Sequence, residues 1–229
     1  MTSQSEPKQK YDARPIRIGE LFKLSFREEV GNAVSHGVTA AILLLLLPVC
    51  AVYGYIKNGI PLAAGYSVFI ISLFLMFLTS CLYHSMSFDS KHKMVFRILD
   101  HSAIFVAIAG TFTPICLHVV GGWLGILVLV LQWTATIAGI LYKALALKTK
   151  SRASVIIYLV MGWSGLLLVP SLIRHRHLAF MMMILLGGIF YSIGTLFYAA
   201  KDKGWYHLIW HIFIILAAAC HFVAIIFLI

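Results

Sequence analysis

The chain has 229 residues, of which 61% are hydrophobic and 11% are charged, and its mean hydropathy is +0.94. Soluble domains carry about 25% charged residues, so this composition excludes an ordinary soluble domain and indicates an integral membrane protein. The net charge of +10 does not call for a nucleic-acid partner, because membrane proteins concentrate Lys and Arg in their cytoplasmic loops. We also expect no cleavable signal peptide, because residues 1–27 are polar and charged where an apolar core would be needed.

A polar tail, residues 1–27, precedes a series of long apolar segments. A crossing helix needs about 20 mostly apolar residues, and lipid does not tolerate open sheet edges. The sequence therefore predicts an all-α, polytopic membrane protein with one seven-helix transmembrane domain over residues 28–229. The predicted crossings are 34–56, 61–84, 98–118, 121–142, 154–173, 179–200 and 207–229.

The distribution of basic residues predicts the orientation. One side carries fifteen of the 18 Lys and Arg residues: six in the tail, three between crossings two and three, four between crossings four and five, and two between crossings six and seven. The other side carries three. The excess of positive charge on the cytoplasmic side predicts a cytoplasmic N-terminus and an outward C-terminus.

Polar side chains collect at the cytoplasmic ends of three predicted helices. Ser80 and His84 end the second crossing, and Asp100 begins the third. His207 and His211 begin the seventh. Residues four apart share a helical face, so each i, i+4 pair points in one direction. Segments remote in sequence thus bring polar groups to one membrane depth.

This set is typical of a metal site. Two histidines at i, i+4 can chelate one ion, and His84 would add a third nitrogen to those of His207 and His211. Three histidines with an open fourth position are characteristic of catalytic zinc. Asp100, the one carboxylate inside the predicted crossings, would orient water or take its proton. Ser80 would hydrogen-bond that water or a polar group of the substrate.

Each of these residues also has an ordinary structural explanation. A histidine at a helix end is commonly a half-solvated interfacial residue. Asp100 could pair with Arg97 on the same face or cap a helix start. The convergence of three helices favours the site interpretation.

Other polar residues are candidates for supporting roles. Glu29 and His36 share a stripe at the start of the first helix, where they could hydrogen-bond the ligands or line a channel. His221 is expected deeper in the seventh helix, either as a buried histidine bonded to a neighbouring helix or as a channel residue. His101 points away from Asp100 and His118 lies at the far end of its helix, so neither is expected to be a ligand.

Four ordered motifs, "EEVGNAVSHG", "SCLYHS", "RILDHSAIFVAIAGTFTP" and "HLIWHIFIILAAACHF", resemble the hemolysin III family of bacterial membrane proteins. That family is related to the progestin and adipoQ receptors, including the adiponectin receptors, and more distantly to the alkaline ceramidases. The resemblance implies a location in the bacterial inner membrane and a zinc ion held by three histidines, with a serine and an aspartate beside it. The matching residues here are His84, His207, His211, Ser80 and Asp100.

Three functions are compatible with these features. The first is a zinc-dependent hydrolase that acts on a lipid amide or ester, because apolar helices around the site suit an acyl chain. The second is a sensor of membrane state or lipid homeostasis, or a receptor-like regulator, in which zinc is structural or linked to ligand binding. The third is a cytolytic pore, as the family name suggests, although no polar stripe in the crossings suits an aqueous channel.

Overall fold

The computed structural model describes residues 24–88, 90–145, 151–174, 178–201 and 203–229. The predicted tail lies almost entirely in residues 1–23, outside the described residues. Every regular element of the described chain is helical, as predicted. In chain order these are α1 (Phe26–Ser85), α2 (Lys91–Pro114) with a π-helical continuation (Ile115–Val120), α3 (Gly122–Leu145), α4 (Ser151–Trp163), a 3₁₀ segment (Ser164–Leu168), α5 (Val169–Arg174), α6 (Leu178–Ala199) and α7 (Tyr206–Phe227).

Six helices among the described residues are long and apolar enough to cross a membrane. The sequence predicts seven crossings, and the first two fall within the 60 residues of α1. Asn58 and Gly59 interrupt this helix with non-helical backbone angles, and Gly59 has a φ of +67°, which glycine adopts without a steric penalty. The two arms of α1, residues 26–57 and 60–85, contact each other: a Cβ on Gly37 would lie 2.9 Å from Sγ of Cys81.

The first arm of α1 begins earlier than the sequence predicts. Ser25 caps the helix in a capping box, in which its hydroxyl accepts from the backbone N–H of Glu28 and the Glu28 carboxylate accepts from the backbone N–H of Ser25. This reciprocal cap satisfies two backbone donors. Glu28 and Glu29 therefore lie inside a membrane-type helix. Both precede the predicted crossing 34–56, and Asp100 is still the one carboxylate within the predicted crossings.

The second described helix lies at the centre of the bundle. In α2 and its π-helical continuation, 67% of the residues in an apolar 18-residue stretch are buried. The corresponding fraction in the other candidate crossings is 17–44%. Helix α1 packs against α2 and α7, α2 packs against α3, and α6 packs against α7. Large apolar side chains cover the outside of the bundle, including Leu45, Ile56 and Trp123. This arrangement places Asp100, which α2 carries, in the interior.

Candidate metal centre

Three histidines from two helices that are remote in sequence meet in the interior. His84 lies in the last turn of α1, and His207 and His211 lie in the first two turns of α7. One ring nitrogen of each lies within 4.8 Å of the others, and all three side chains are buried. The sequence prediction that these residues converge is confirmed, and the cluster could hold a metal ion.

The start of α7 is tied directly to α1. Trp205 precedes α7 in the left-handed backbone region, with a φ of 65°. Its backbone N–H donates to Oε1 of Glu28 over 2.7 Å. This bond anchors the first turn of α7 beside the first arm of α1. The helical spacing of four then aims both His207 and His211 at His84.

Two of the three donors have the spacing of a zinc site. Nε2 of His207 lies 3.3 Å from Nε2 of His84. Zinc–nitrogen bonds of about 2.0–2.1 Å in tetrahedral geometry place two nitrogens about 3.3–3.4 Å apart. Nδ1 of His207 and both ring nitrogens of His211 are buried without a hydrogen-bond partner among the described residues. Buried polar atoms are normally paired, so these nitrogens fit a site that takes an ion or water.

Asp100 and Ser80 lie beside this cluster. Both side chains are buried, and Ser80 lies one helical turn before His84 on α1. Asp100 and His207 line one small cavity of about 20 Å³, together with Arg97 and Lys201. A volume of about 10–15 Å³ is enough for one water molecule. The cavity that Asp100 and His207 share therefore has room for one water molecule.

The two histidines that were not expected to be ligands lie outside the cluster. Nδ1 of His101 donates to the carbonyl of Arg97 over 2.8 Å, and its Nε2 accepts from the hydroxyl of Tyr198 at 3.3 Å. His118 contacts the carbonyl of Pro61 at 3.0 Å. Both ring nitrogens of His101 are thus engaged outside the cluster, although Nδ1 also lies 3.5 Å from Oδ2 of Asp100.

A carboxylate and a lysine complete the surroundings of His84. Oε2 of Glu29 lies 2.6 Å from Nδ1 of His84, and Oε1 accepts from Nζ of Lys93 over 2.8 Å. The sequence predicted Lys93 only as one of the basic residues in the loop between crossings two and three. Helix α2 begins at Lys91, seven residues before the predicted crossing. The spacing of seven between Lys93 and Asp100, two helical turns, is the signal that could have revealed its inward direction.

His36 and His221 occupy different parts of the interior. The His36 ring stacks on that of His211, with centroids 3.8 Å apart and planes 18° apart. His221 contacts the carbonyl of Ile184 at 3.2 Å and also lines a large cavity. The bond to a neighbouring helix is confirmed, whereas the channel position of His221 stays a prediction.

The large cavity measures about 480 Å³ and has a largely apolar lining. Residues of α2, α4, the 3₁₀ segment, α5, α6 and α7 surround it. His101, Tyr198 and Trp210 line both this cavity and the small one beside Asp100. An apolar chamber thus adjoins the polar cluster.

The fold and the cluster define a helical, multi-pass integral membrane protein with a buried three-histidine site. Residues 24–222 match the haemolysin-III related family, and the chain belongs to it. The chain is 36% identical over 207 residues to the Hemolysin-3 homolog of Bacillus subtilis (strain 168), covering 89% of this chain and 95% of that protein. It is 33% identical over 201 residues to Hemolysin-3 of Bacillus cereus, covering 88% and 91%. The resemblance drawn from the four motifs is confirmed.

The chain is also more distantly similar to animal proteins. The chain is 27% identical over 165 residues to the human Monocyte to macrophage differentiation factor, covering 66% of this chain and 64% of that protein.

Proposed function

We propose that this protein is a zinc-dependent hydrolase that cleaves a lipid amide or ester. One observation carries the proposal: the 480 Å³ apolar cavity and the small cavity beside Asp100 and His207 share His101, Tyr198 and Trp210. An acyl chain in the large cavity would bring its carbonyl group to the three histidines. Apolar chambers with a few convergent polar groups are the usual form of a small-molecule site.

The histidines would hold the ion, and the other polar residues would handle water. Zinc bound by His84, His207 and His211 would polarise a carbonyl group and make water a better nucleophile at neutral pH. Asp100 would orient the water and accept its proton as the oxygen bonds to the carbonyl carbon. The proton would pass to the leaving nitrogen or oxygen when its bond to carbon breaks. Ser80 would hold the carboxylate in place.

The proposed topology places this site near the cytoplasmic face of the bacterial inner membrane. The break at Asn58 and Gly59 and the contact between the two arms of α1 support two crossings within that helix, and hence seven in total. The Lys and Arg asymmetry supports a cytoplasmic N-terminus. Substrate would then be a lipid of the surrounding bilayer.

Zinc analysis and lipid mass spectrometry on purified protein test the proposal. The protein is offered ceramides, phospholipids and N-acyl amides in nanodiscs, and released fatty acid is measured. Asp100→Asn should retain zinc and lose about 10²- to 10⁴-fold in rate, the usual contribution of general-base catalysis. His118→Gln, a histidine change remote from the cluster, should leave the rate unchanged.

Two results would overturn the hydrolase. One is zinc-loaded, folded protein that releases no fatty acid from any lipid class. The other is an Asp100→Asn variant as active as the parent. Zinc binding without turnover would favour the lipid sensor instead, with the three histidines in a structural role.

A further inference from the structure

We infer that Glu29 is a positioning residue that fixes His84 as a metal ligand, by accepting a hydrogen bond from its Nδ1 and leaving Nε2 free for the ion. The inference rests on the metal site of the proposed function. It adds a residue from the first arm of α1, 55 positions before His84 in sequence, and a lysine that holds it. Carboxylates that accept from the outer nitrogen of a ligating histidine fix its tautomer and its orientation.

The contact with Glu29 indicates which nitrogen of a neutral His84 ring carries the proton. Nδ1 of His84 lies 2.6 Å from Oε2 of Glu29, while Nε2 faces Nε2 of His207 at 3.3 Å. An ionised carboxylate can only accept hydrogen bonds. The neutral imidazole must therefore carry its proton on Nδ1, which leaves the Nε2 lone pair directed into the three-histidine cluster.

Lys93 holds the carboxylate in this position. Its Nζ donates to Oε1 of Glu29 over 2.8 Å and to the carbonyl of Met86 over 3.1 Å, and it lies 4.8 Å from the centre of the Tyr83 ring. The Lys93 side chain is 1% exposed, against 17% for Glu29. The ammonium group of Lys93 balances the charge of the Glu29 carboxylate. Oε1 of Glu29 contacts Lys93, and Oε2 contacts His84. The carboxylate thus has little freedom to turn away from His84.

The neighbouring carboxylate provides an internal contrast. Glu28 has the same chemistry and lies on the same turn, but its oxygens accept from Ser25 and from the backbone N–H of Trp205. It makes no contact with His84 in the described structure. Because Glu28 anchors the first turn of α7 through Trp205, a change there would disturb the cluster. The control is His118→Gln, since His118 bonds the carbonyl of Pro61 and lies outside the cluster.

Zinc affinity gives the first test. Zinc binding is measured in nanodiscs by competition with a chromophoric chelator, for the parent, Glu29→Gln and His118→Gln. Removing a partner of a ligating group typically lowers metal affinity about 10- to 100-fold, and we expect a loss of this size for Glu29→Gln. His118→Gln should bind like the parent. Equal affinity of Glu29→Gln and parent would overturn the inference.

The tautomer of His84 gives a second test that needs neither metal nor activity. Protein with ¹⁵N-labelled histidine is studied metal-free by NMR, and the His84 signals are assigned by their loss in His84→Gln. We expect the Nδ1–H tautomer in the parent and loss of this preference in Glu29→Leu. An Nε2–H tautomer in the parent would overturn the inference, even if Glu29 variants fail to fold. A parent that binds no zinc would overturn the proposed function, while the tautomer would still decide this inference.

Discussion

Filling the large cavity should block acyl-chain binding without disturbing the histidine cluster. Gly165 lies in the 3₁₀ segment and lines the 480 Å³ cavity. A Cβ at this position would lie 3.5 Å from Cζ of Phe112, another lining residue, which is ordinary van der Waals contact. The Cβ of Gly165→Leu therefore fits without a steric clash, and we expect the three further carbons of the side chain to occupy cavity volume.

The expected loss of acyl-chain affinity follows from the number of ligand methylenes that the new side chain displaces from the cavity. Burial of one methylene contributes about 0.8 kcal/mol, so displacing about four of them costs about 3 kcal/mol. A difference of about 1.4 kcal/mol is tenfold in an equilibrium constant, so affinity should fall by about two orders of magnitude. Ligands with chains too short to reach Phe112 should lose less.

The assay is equilibrium binding of a labelled long-chain fatty acid or N-acyl amide to protein in nanodiscs, with zinc content measured in parallel. Ala138→Leu is the matched control, because Ala138 is exposed on α3 and does not line the cavity. Parent-like binding of long chains by folded, zinc-loaded Gly165→Leu would refute the reasoning. It would mean that the acyl chain lies elsewhere.

Three further predictions concern the metal, the packing of α1 on α2, and the topology. His211→Ala should strongly reduce the zinc content measured by mass spectrometry, whereas His101→Ala should not; equal contents in the two variants would contradict the site. Gly110→Ala would place a Cβ 2.2 Å from Oγ of Ser72, and overpacking of this kind costs about 1–3 kcal/mol. Thermal unfolding in detergent should show this loss and its partial recovery in Gly110→Ala/Ser72→Gly; a parent-like single variant would show that the helices can separate freely. A periplasmic-type reporter fused after Ile229 should be active, and activity of a cytoplasm-only reporter there would reverse the proposed orientation.

The sequence alone was sufficient to predict the class of protein and the three histidines. Long apolar segments have few structural options in lipid, because every backbone polar group must be satisfied within the segment. Spacing of four on one helix is a local property, so the alignment of His207 with His211 follows without knowledge of the bundle. The asymmetry of the basic residues predicted the topology, and that topology assigns His84 and Asp100 to the same end of their helices.

The partners of those residues required the tertiary structure. Glu29 and His84 are in contact although 55 positions separate them in the sequence. The spacing of residues within one helix cannot predict such a contact, because it depends on how two helical segments are rotated and shifted relative to each other. Lys93 was hidden because α2 begins seven residues before the apolar stretch that marks the predicted crossing. The large cavity also required the tertiary structure, because several helices line it. Its volume is the space that their side chains leave unfilled. Hydropathy and helical period determined what each segment is and which way its faces point, whereas packing between segments decided which faces touch and what space remains between them.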